Sequence, residues 1–361
     1  MLRRAAILLG FLAAPGVGSG QSQGPAAPRF NGDFRVRYEY TSAGNGTLAL
    51  GKEVVRLRAG VTYPLRGDVV VRARLATGDP GDPNSTDVTL GSFVDDFAVS
   101  LDLASVEVTR PHWAALGGKF TNPLQSTELV WDGDVNPQGV AGRLVVGNSA
   151  SLTGTLTGLY FIVEQQANNR SSDMAGGQLT LRSPAGAAWT LSGSVAYYDY
   201  RIRSLTAAGT GDTRSNRLAA GGTSYLSDFD LLDAVVALDY AGLGERFPLR
   251  VVGDYVHNSG AADRNSGWGA DVYLGKTQRT GDLRYRYGYG MTEIDAVLAA
   301  FSHDNTTFGT NYELHTLAVE AVPITGLLLN ATLYHYRPHD VAPGVARNSQ
   351  RRLRLNATIN W

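Results

Sequence analysis

The sequence predicts an all-β chain: a transmembrane, antiparallel, up-and-down β-barrel of about 16 strands with short turns at one end and long loops at the other. Three observations carry this. Apolar and polar residues alternate with a period of two along most of the 361 residues, the rhythm of strands whose two faces meet different surroundings. The connectors between these segments are short and long in strict turn. The 43 glycines and sparse helix signals fit a chain of many turns, and no run of about 20 apolar residues is present to form a spanning helix.

The elements follow in order. Residues 1–20 read as a secretory signal peptide, with Arg3 and Arg4 ahead of the apolar stretch Ala5 to Ala14 and the small-residue run Pro15 to Gly20. Residues 21–32 are expected as a short periplasmic lead-in, and 33–361 as the barrel. The first strand, Asp33 to Tyr40, sets Phe34, Val36, Tyr38 and Tyr40 against Arg35, Arg37 and Glu39. The second, Val55 to Tyr63, sets Leu57, Ala59, Val61 and Tyr63 against Arg56, Arg58 and Thr62. Turn chemistry at Pro64 to Asp68 leads into Val69 to Thr77, where Val71, Ala73 and Leu75 oppose Arg72 and Arg74. Trp189 to Tyr198 and Leu283 to Met291 alternate as clearly. Weaker segments lie at 97–109, 113–120, 139–147, 150–162, 174–182, 230–241, 248–257, 267–275, 312–321 and 327–336, and 217–226 is assigned to a long loop. Leu353 to Trp361 closes the set, with Leu353, Leu355, Ala357, Ile359 and Trp361 on one face and Arg354, Asn356, Thr358 and Asn360 on the other. A final strand ending in an aromatic resembles the C-terminal signal that barrel-assembly machinery reads on outer-membrane barrels, so that machinery is an expected partner.

The seven short connectors (64–68, 110–112, 148–149, 183–187, 242–247, 276–281, 322–326) and eight long ones (41–52, 78–96, 121–138, 163–173, 200–229, 258–266, 292–311, 337–348) close the count at sixteen strands with both termini on the periplasmic side. Aromatics fall near strand ends, as interface girdles require: Phe34, Tyr63, Trp113, Trp189 and Trp361 at one end, Tyr40, Tyr160, Tyr197, Tyr255, Trp268, Tyr312 and Tyr336 at the other. A barrel of this size encloses a lumen too wide for side chains to fill, and no plug-sized segment precedes the first strand, so an aqueous channel is expected. The polar parity then faces water.

Charge adds detail. The formal net charge is −1, which offers no case for nucleic acid. Of 32 basic residues only Lys52, Lys119 and Lys276 are lysines, leaving 29 arginines. Arg35, Arg37, Arg56, Arg58, Arg72, Arg74, Arg352 and Arg354 share the polar parity of four neighbouring strands, a candidate basic wall; Arg250, Arg284 and Arg286 form a smaller set. Arginine forks onto carboxylates and phosphates, so such a wall would attract anions. Acidic residues gather in the second long loop (Asp79, Asp82, Asp87, Asp95, Asp96) and the third (Glu128, Asp132, Asp134).

Four stretches, Ala76 to Leu90 (ATGDPGDPNSTDVTL), Gly117 to Leu124 (GGKFTNPL), Leu129 to Gly142 (LVWDGDVNPQGVAG) and Asp295 to Asp304 (DAVLAAFSHD), resemble the recurring segments of the bacterial "putative porin" family of outer-membrane proteins. The likeness extends over the mature chain and implies an integral outer-membrane β-barrel with a pore function; it brings no established binding or catalytic residues. By analogy with general diffusion porins, whose third loop folds inward against a basic wall, Glu128, Asp132 and Asp134 become candidates for a constriction. The expected partners are outer-membrane lipid and small hydrophilic solutes, and the same analogy makes a homotrimer the expected assembly. The expected activity is passive diffusion. The alternatives are an anion- or phosphate-specific channel, a structural or adhesive barrel, and a barrel enzyme.

Other site chemistry is weak. Asp132-Gly133-Asp134-Val135-Asn136 opens like a calcium loop, but Pro137 stands where glycine is needed and Arg143 where glutamate is. Asp79, Asp82, Asn84 and Asp87 could collect a calcium ion. The histidines, His112, His257, His303, His315, His335 and His339, lack paired metal spacing, and no nucleophile motif accompanies His257 or His335. With no cysteine, no disulfide or thiolate site exists. No enzyme activity, metal or cofactor is expected.

Overall fold

The structure, a computed structural model, describes residues 27–44, 48–91, 96–148, 152–167, 171–184, 188–205, 208 and 213–361. The expected signal peptide and Asp95 lie outside them. Every element is a strand: β1 (Arg29–Thr41), β2 (Leu50–Arg66), β3 (Val69–Thr77), β4 (Val88–Thr89), β5 (Val99–Thr109), β6 (Trp113–Lys119), β7 (Gln138–Asn148), β8 (Leu152–Glu164), β9 (Ser172–Arg182), β10 (Trp189–Arg201), β11 (Phe229–Tyr240), β12 (Leu249–Asn258), β13 (Ser266–Gly275), β14 (Leu283–Thr292), β15 (Tyr312–Ile324), β16 (Leu327–Pro338) and β17 (Gln350–Asn360). All but β4 pair antiparallel with their neighbours, and β1 pairs with both β2 and β17, so sixteen strands form a closed wall. Closure leaves no strand of the wall without a neighbour on either flank, a pairing that a bilayer cannot supply.

Each sequence-derived strand has its counterpart. The main shifts are at β1, which begins at Arg29, so Arg29 to Gly32 of the expected lead-in already pair with β2, and at β2, which runs from Leu50 to Arg66 where Val55 to Tyr63 was expected. β4 was not anticipated. Strand β2 rises above the end of β3, since their pairing starts only at Arg58 and Ala76, and β4 lies against the otherwise open edge at Val54 and Val55. Residues 217–226 form a loop with one isolated bridge, Leu218 to Tyr225. At the seam, Gly32 and Trp361 exchange backbone hydrogen bonds of 3.2 Å. A Cβ at Gly32 would lie 2.5 Å from the Trp361 ring, so only glycine lets the last residue close there.

Burial is inverted relative to a water-soluble domain. Phe34, Val36, Tyr38, Tyr40, Leu57, Val71, Leu355 and Ile359 are exposed on the outer face, while Asp33, Arg37, Glu39, Arg56, Arg352 and Arg354 are buried inside. Most girdle aromatics are exposed as expected, including Trp113, Trp189, Trp361, Tyr160, Tyr197, Tyr255 and Trp268. Tyr312 and Tyr336 are the exceptions. They point inward and pack with Leu314, Tyr334 and Phe308, because their strands present the opposite parity to lipid there.

The inner wall is also not uniformly polar. On β7 to β12 the inward parity carries Ala141, Leu159, Phe161, Met174, Ala196, Tyr198, Tyr200, Phe229, Leu231 and Val256, all buried. Loops cover them. The loop between β6 and β7 contributes Leu124, Leu129, Val130, Trp131 and Val135, and that between β14 and β15 contributes Val297, Leu298, Ala300 and Phe301. The largest apolar core of the protein therefore lies inside the barrel, against one side of its wall.

Because the chain has no native cysteine, alternation can be tested with single variants in lipid vesicles. Arg58→Cys is expected to react with a membrane-impermeant maleimide and Leu57→Cys only with a lipid-soluble one. Equal labelling of both positions by the impermeant reagent would contradict the two-faced wall.

Candidate functional site

The site is the lumen where loops cross it. Register first brings the predicted arginines together. Arg35 lies across from Arg56, Asp33 from Arg58, and Glu39 from Arg354, so β17, β1 and β2 present alternating charges on adjoining inner positions. Arg56 donates to Asp33 at 2.9 Å and Arg58 to its other oxygen at 2.6 Å. Arg354 donates to Glu39 at 2.6 Å. On β3, Arg74 donates to Asp102 at 2.6 Å, and Arg72 pairs with Glu107. Arg352 donates to the Thr41 hydroxyl at 3.0 Å. The wall's own strands thus neutralise much of its charge.

Three loops add the rest. Asp87, from the loop after β3, accepts from Arg35 and, at 2.7 Å, from Arg37. Asp134, from the loop after β6, accepts from Arg58 at 3.0 Å and lies 3.5 Å from Arg56. Asp304, from the loop after β14, accepts from Arg354 at 3.1 Å, and its carbonyl accepts from Arg352 at 2.7 Å. Of the three acidic residues expected at a constriction, only Asp134 meets the basic wall. Glu128 accepts from Asn305 at 3.0 Å, and the Asp132 carboxylate accepts from the Asp134 amide at 2.8 Å. The smaller arginine set lies on β12 and β14, where Arg250 pairs with Asp239, Arg284 with Glu320, and Arg286 with both oxygens of Asp271.

The crossing loops are tied to each other. The Asp132 amide donates to the Phe301 carbonyl at 2.7 Å, and the His303 amide to the Glu128 carbonyl at 3.3 Å. Trp131 stacks on Phe301 with ring centroids 5.8 Å apart and 7° between planes, and meets Tyr198 edge-on at 5.9 Å. Gln125 and Gln178 exchange hydrogen bonds of 2.8 and 2.7 Å, pinning the loop to β9. From the loop after β10, Arg214 donates to the carbonyls of Ala299 and Ser302 at 3.1 Å, and Asn216 bonds Val297 and Ala299. Asn84, from the loop after β3, donates to the Ser302 carbonyl.

Titratable groups in the crossing respond to this setting. Burial, with Asp304 and Glu128 close by, pushes the Asp132 carboxyl well above the usual carboxylate range. Burial acts the same way on Asp304, but the Arg354 guanidinium outweighs it and holds that carboxyl low. Burial pushes the His303 imidazole down to about 3, so it is neutral. Its Nδ1 accepts from the Asn305 amide, which leaves Nε2 to donate to the Tyr312 hydroxyl at 2.7 Å.

Water-sized space remains on both sides of the crossing. Towards the turn end, a cavity of about 710 Å³ lies beside Thr127, Glu128 and Trp131, facing Arg250 and Tyr273. A second, of about 490 Å³, lies beside the basic wall, and Glu128, Asp132, Tyr273, Arg284 and Arg286 line both. Towards the loop end, a third of about 490 Å³ is lined by Asp79, Asp82, Ser172 and Tyr225 among others. Asp79, Asp82, Asn84 and Asp87 serve separate partners, and among the described residues no group of three or more His, Cys, Asp or Glu is placed to share a metal ion. His257 and His335 sit on the outward parity of β12 and β16, away from the lumen.

The part of the site that sequence reasoning missed is the loop after β14. Its signal was present: Ala296 to Phe301 is an unbroken apolar run within a connector, and such a run needs cover from water. The Leu129-Val130-Trp131 run carried the same information.

The family model described as "Putative porin" matches residues 45–215. Among curated proteins, none matches. Among solved structures, the barrel is similar to OprB of Pseudomonas putida at high pH, with a TM-score of 0.62 and 8% identity over 92% of this chain and 94% of that one. It is also similar to the trimer form of OmpT, an outer membrane protein of Vibrio cholerae (TM-score 0.51, 10% identity, 93% and 99% covered). A triple mutant of the Rhodopseudomonas blastica porin gives a TM-score of 0.51 and 10% identity, covering 93% of this chain and 100% of that one. At these identities the likeness is one of fold.

Two outcomes are expected. Trp131→Ala removes the side chain that joins both loops to the wall and is expected to cost about 3–5 kcal/mol of stability by urea unfolding; a loss under 1 kcal/mol would mean the loops are held otherwise. Asp132 binds protons more tightly folded than unfolded, so the native state loses stability as pH rises from the ordinary value of 3.8 towards the raised one. Asp304 has the opposite sign, its contribution being present above 3.8 and lost as pH falls through its depressed value. Asp132→Asn keeps the acceptor for the Asp134 amide and removes the charge. Urea midpoints from pH 4 to pH 8 should therefore decline less in the variant than in the parent.

Proposed function

We propose that this β-barrel, whose residues 45–215 match the putative porin family model, lies in the outer membrane and is a passive diffusion channel for small hydrophilic solutes. The observation that carries the reading is the loop crossing inside a closed wall, with cavities on both sides and charged groups from both the wall and the loops at the narrowing. In this reading Arg35, Arg37, Arg56, Arg58, Arg72, Arg74, Arg352 and Arg354 line the path. Asp87, Asp134 and Asp304 set how much of their charge a solute feels. Pairing makes the narrowing a mixed-charge surface rather than a bare cationic stripe, so selectivity is modest and depends on balance. Glu128, which no arginine of the basic wall answers directly and which lines the cavities on both faces of the loop, supplies the opposing negative charge.

The assembly consistent with this function is a homotrimer, the form named for the similar OmpT structure. Trp361, which closes the seam against Gly32, is the residue proposed to present the last strand to the barrel-assembly machinery.

Planar bilayers give the test. The purified protein should insert with discrete conductance steps; insertion without conductance would overturn the channel reading in favour of a structural barrel. In a salt gradient, neutralising Arg56, Arg58, Arg72 and Arg74 to glutamine should move the reversal potential towards cations. Asp87→Asn with Asp134→Asn should move it towards anions. If neither moves it, these residues serve the fold alone.

A further inference from the structure

The outward face of β15 to β17 departs from the apolar outer wall near its loop end. Register aligns residues there in rows. One row is Tyr287, Leu317, Leu333 and Leu353, apolar and aromatic as the belt elsewhere. The next row towards the loops is Tyr289, His315, His335 and Arg351, and beyond it Glu313 pairs with Arg337. The Tyr287 hydroxyl and His315 Nδ1 are 3.1 Å apart, and the Tyr289 and His315 rings 4.9 Å. Arg337 and Arg347 both pair with Glu313, at 2.6 and 2.5 Å, so one carboxylate answers two guanidiniums. Arg351 is exposed, its backbone amide donates to the Ser42 hydroxyl, and among the described residues no carboxylate is placed against its guanidinium. Three arginines thus face outward over a single acid.

This charge is local. At the same end of β9 to β11 the outward positions are Asp173, Asp199, Arg201 and Asp230, acidic on balance, with Arg201 held to Asp173 at 3.0 Å. An arginine on a lipid-facing strand is tolerated where headgroups begin and is costly at mid-depth. Arg351 stands one step above a leucine row, at the edge of the apolar belt. Guanidinium forks match phosphate oxygens, and imidazole rings and tyrosine hydroxyls supply hydrogen bonds beside them.

We propose that Arg337, Arg347 and Arg351, with His315 and His335, form a docking site for the phosphorylated headgroup of an outer-leaflet glycolipid. Headgroup phosphate is the occupant that fits, because the surplus is positive and the flanking row is apolar. The acidic flank on β9 to β11 already engages its own arginine.

The test uses the full-length protein in detergent, with native mass spectrometry of bound lipid A and of lipid A stripped of its phosphates. The phosphorylated form is expected to bind tighter by about tenfold or more, as charge-assisted pairing implies. That preference should vanish in Arg347→Gln with Arg351→Gln, persist in Arg351→Lys, and persist in Arg201→Gln. Heat-modifiable migration on gels reports folding of each variant, and Arg351→Lys keeps the test decisive if the double variant misfolds. Equal binding of both lipids, or loss of the preference only in Arg201→Gln, would overturn the proposal. So would unchanged lipid binding with an altered oligomer mass in the double variant, which would assign the patch to a second copy of the chain.

Discussion

A bilayer offers no hydrogen bonds to a polypeptide backbone, and the rest of this structure follows from that single constraint. Sixteen strands satisfy it by pairing around a full circle, with β1 and β17 joined over nine residue pairs from Asp33 to Thr41. A circle that wide leaves a hollow. Four connectors turn into it, and once inside they need anchors of their own. They find apolar ones on β7 to β12 and charged ones on β17, β1 and β2.

The two kinds of anchor behave differently. Trp131 and Phe301 rest on buried aromatic surface, which holds at any ionic strength. Asp87, Asp134 and Asp304 rest on arginines that are themselves largely buried, where the attraction is little screened by salt. Withdrawing one such carboxylate leaves a guanidinium without an answer in a poorly solvated place, and a broken buried pair typically costs about 3–5 kcal/mol. The loops therefore contribute to holding the wall's charge as much as the wall holds the loops.

Much of this was legible in the sequence, because alternation is a direct record of two solvents. The arginine pairs of β1, β2 and β3 stood on one parity, and the structure places them inside. What could not be read was where the inner face ceases to be wet. On β10, Ala196, Tyr198 and Tyr200 share the inward parity with Ser192 and Ser194, and nothing local says that a loop will cover them. Tyr312 and Tyr336 were misplaced for the same reason, since a tyrosine near a strand end suits either side. Strand β4 escaped notice because two residues have no period. Asp304 escaped because its partner Arg354 is 50 residues away, a distance that only the closed circle shortens.

The upper half of β2 carries a further consequence. There the cylinder has full support from β1 on one flank and only Val88, Thr89, the Leu90 amide and the Thr77 hydroxyl on the other. It is a zipper missing most of its teeth, mended by a stitch from a passing thread. Solvent deuterium should enter the amides of Leu50 to Leu57 ahead of those in neighbouring strands, and any sideways parting of the cylinder would start from that stitch.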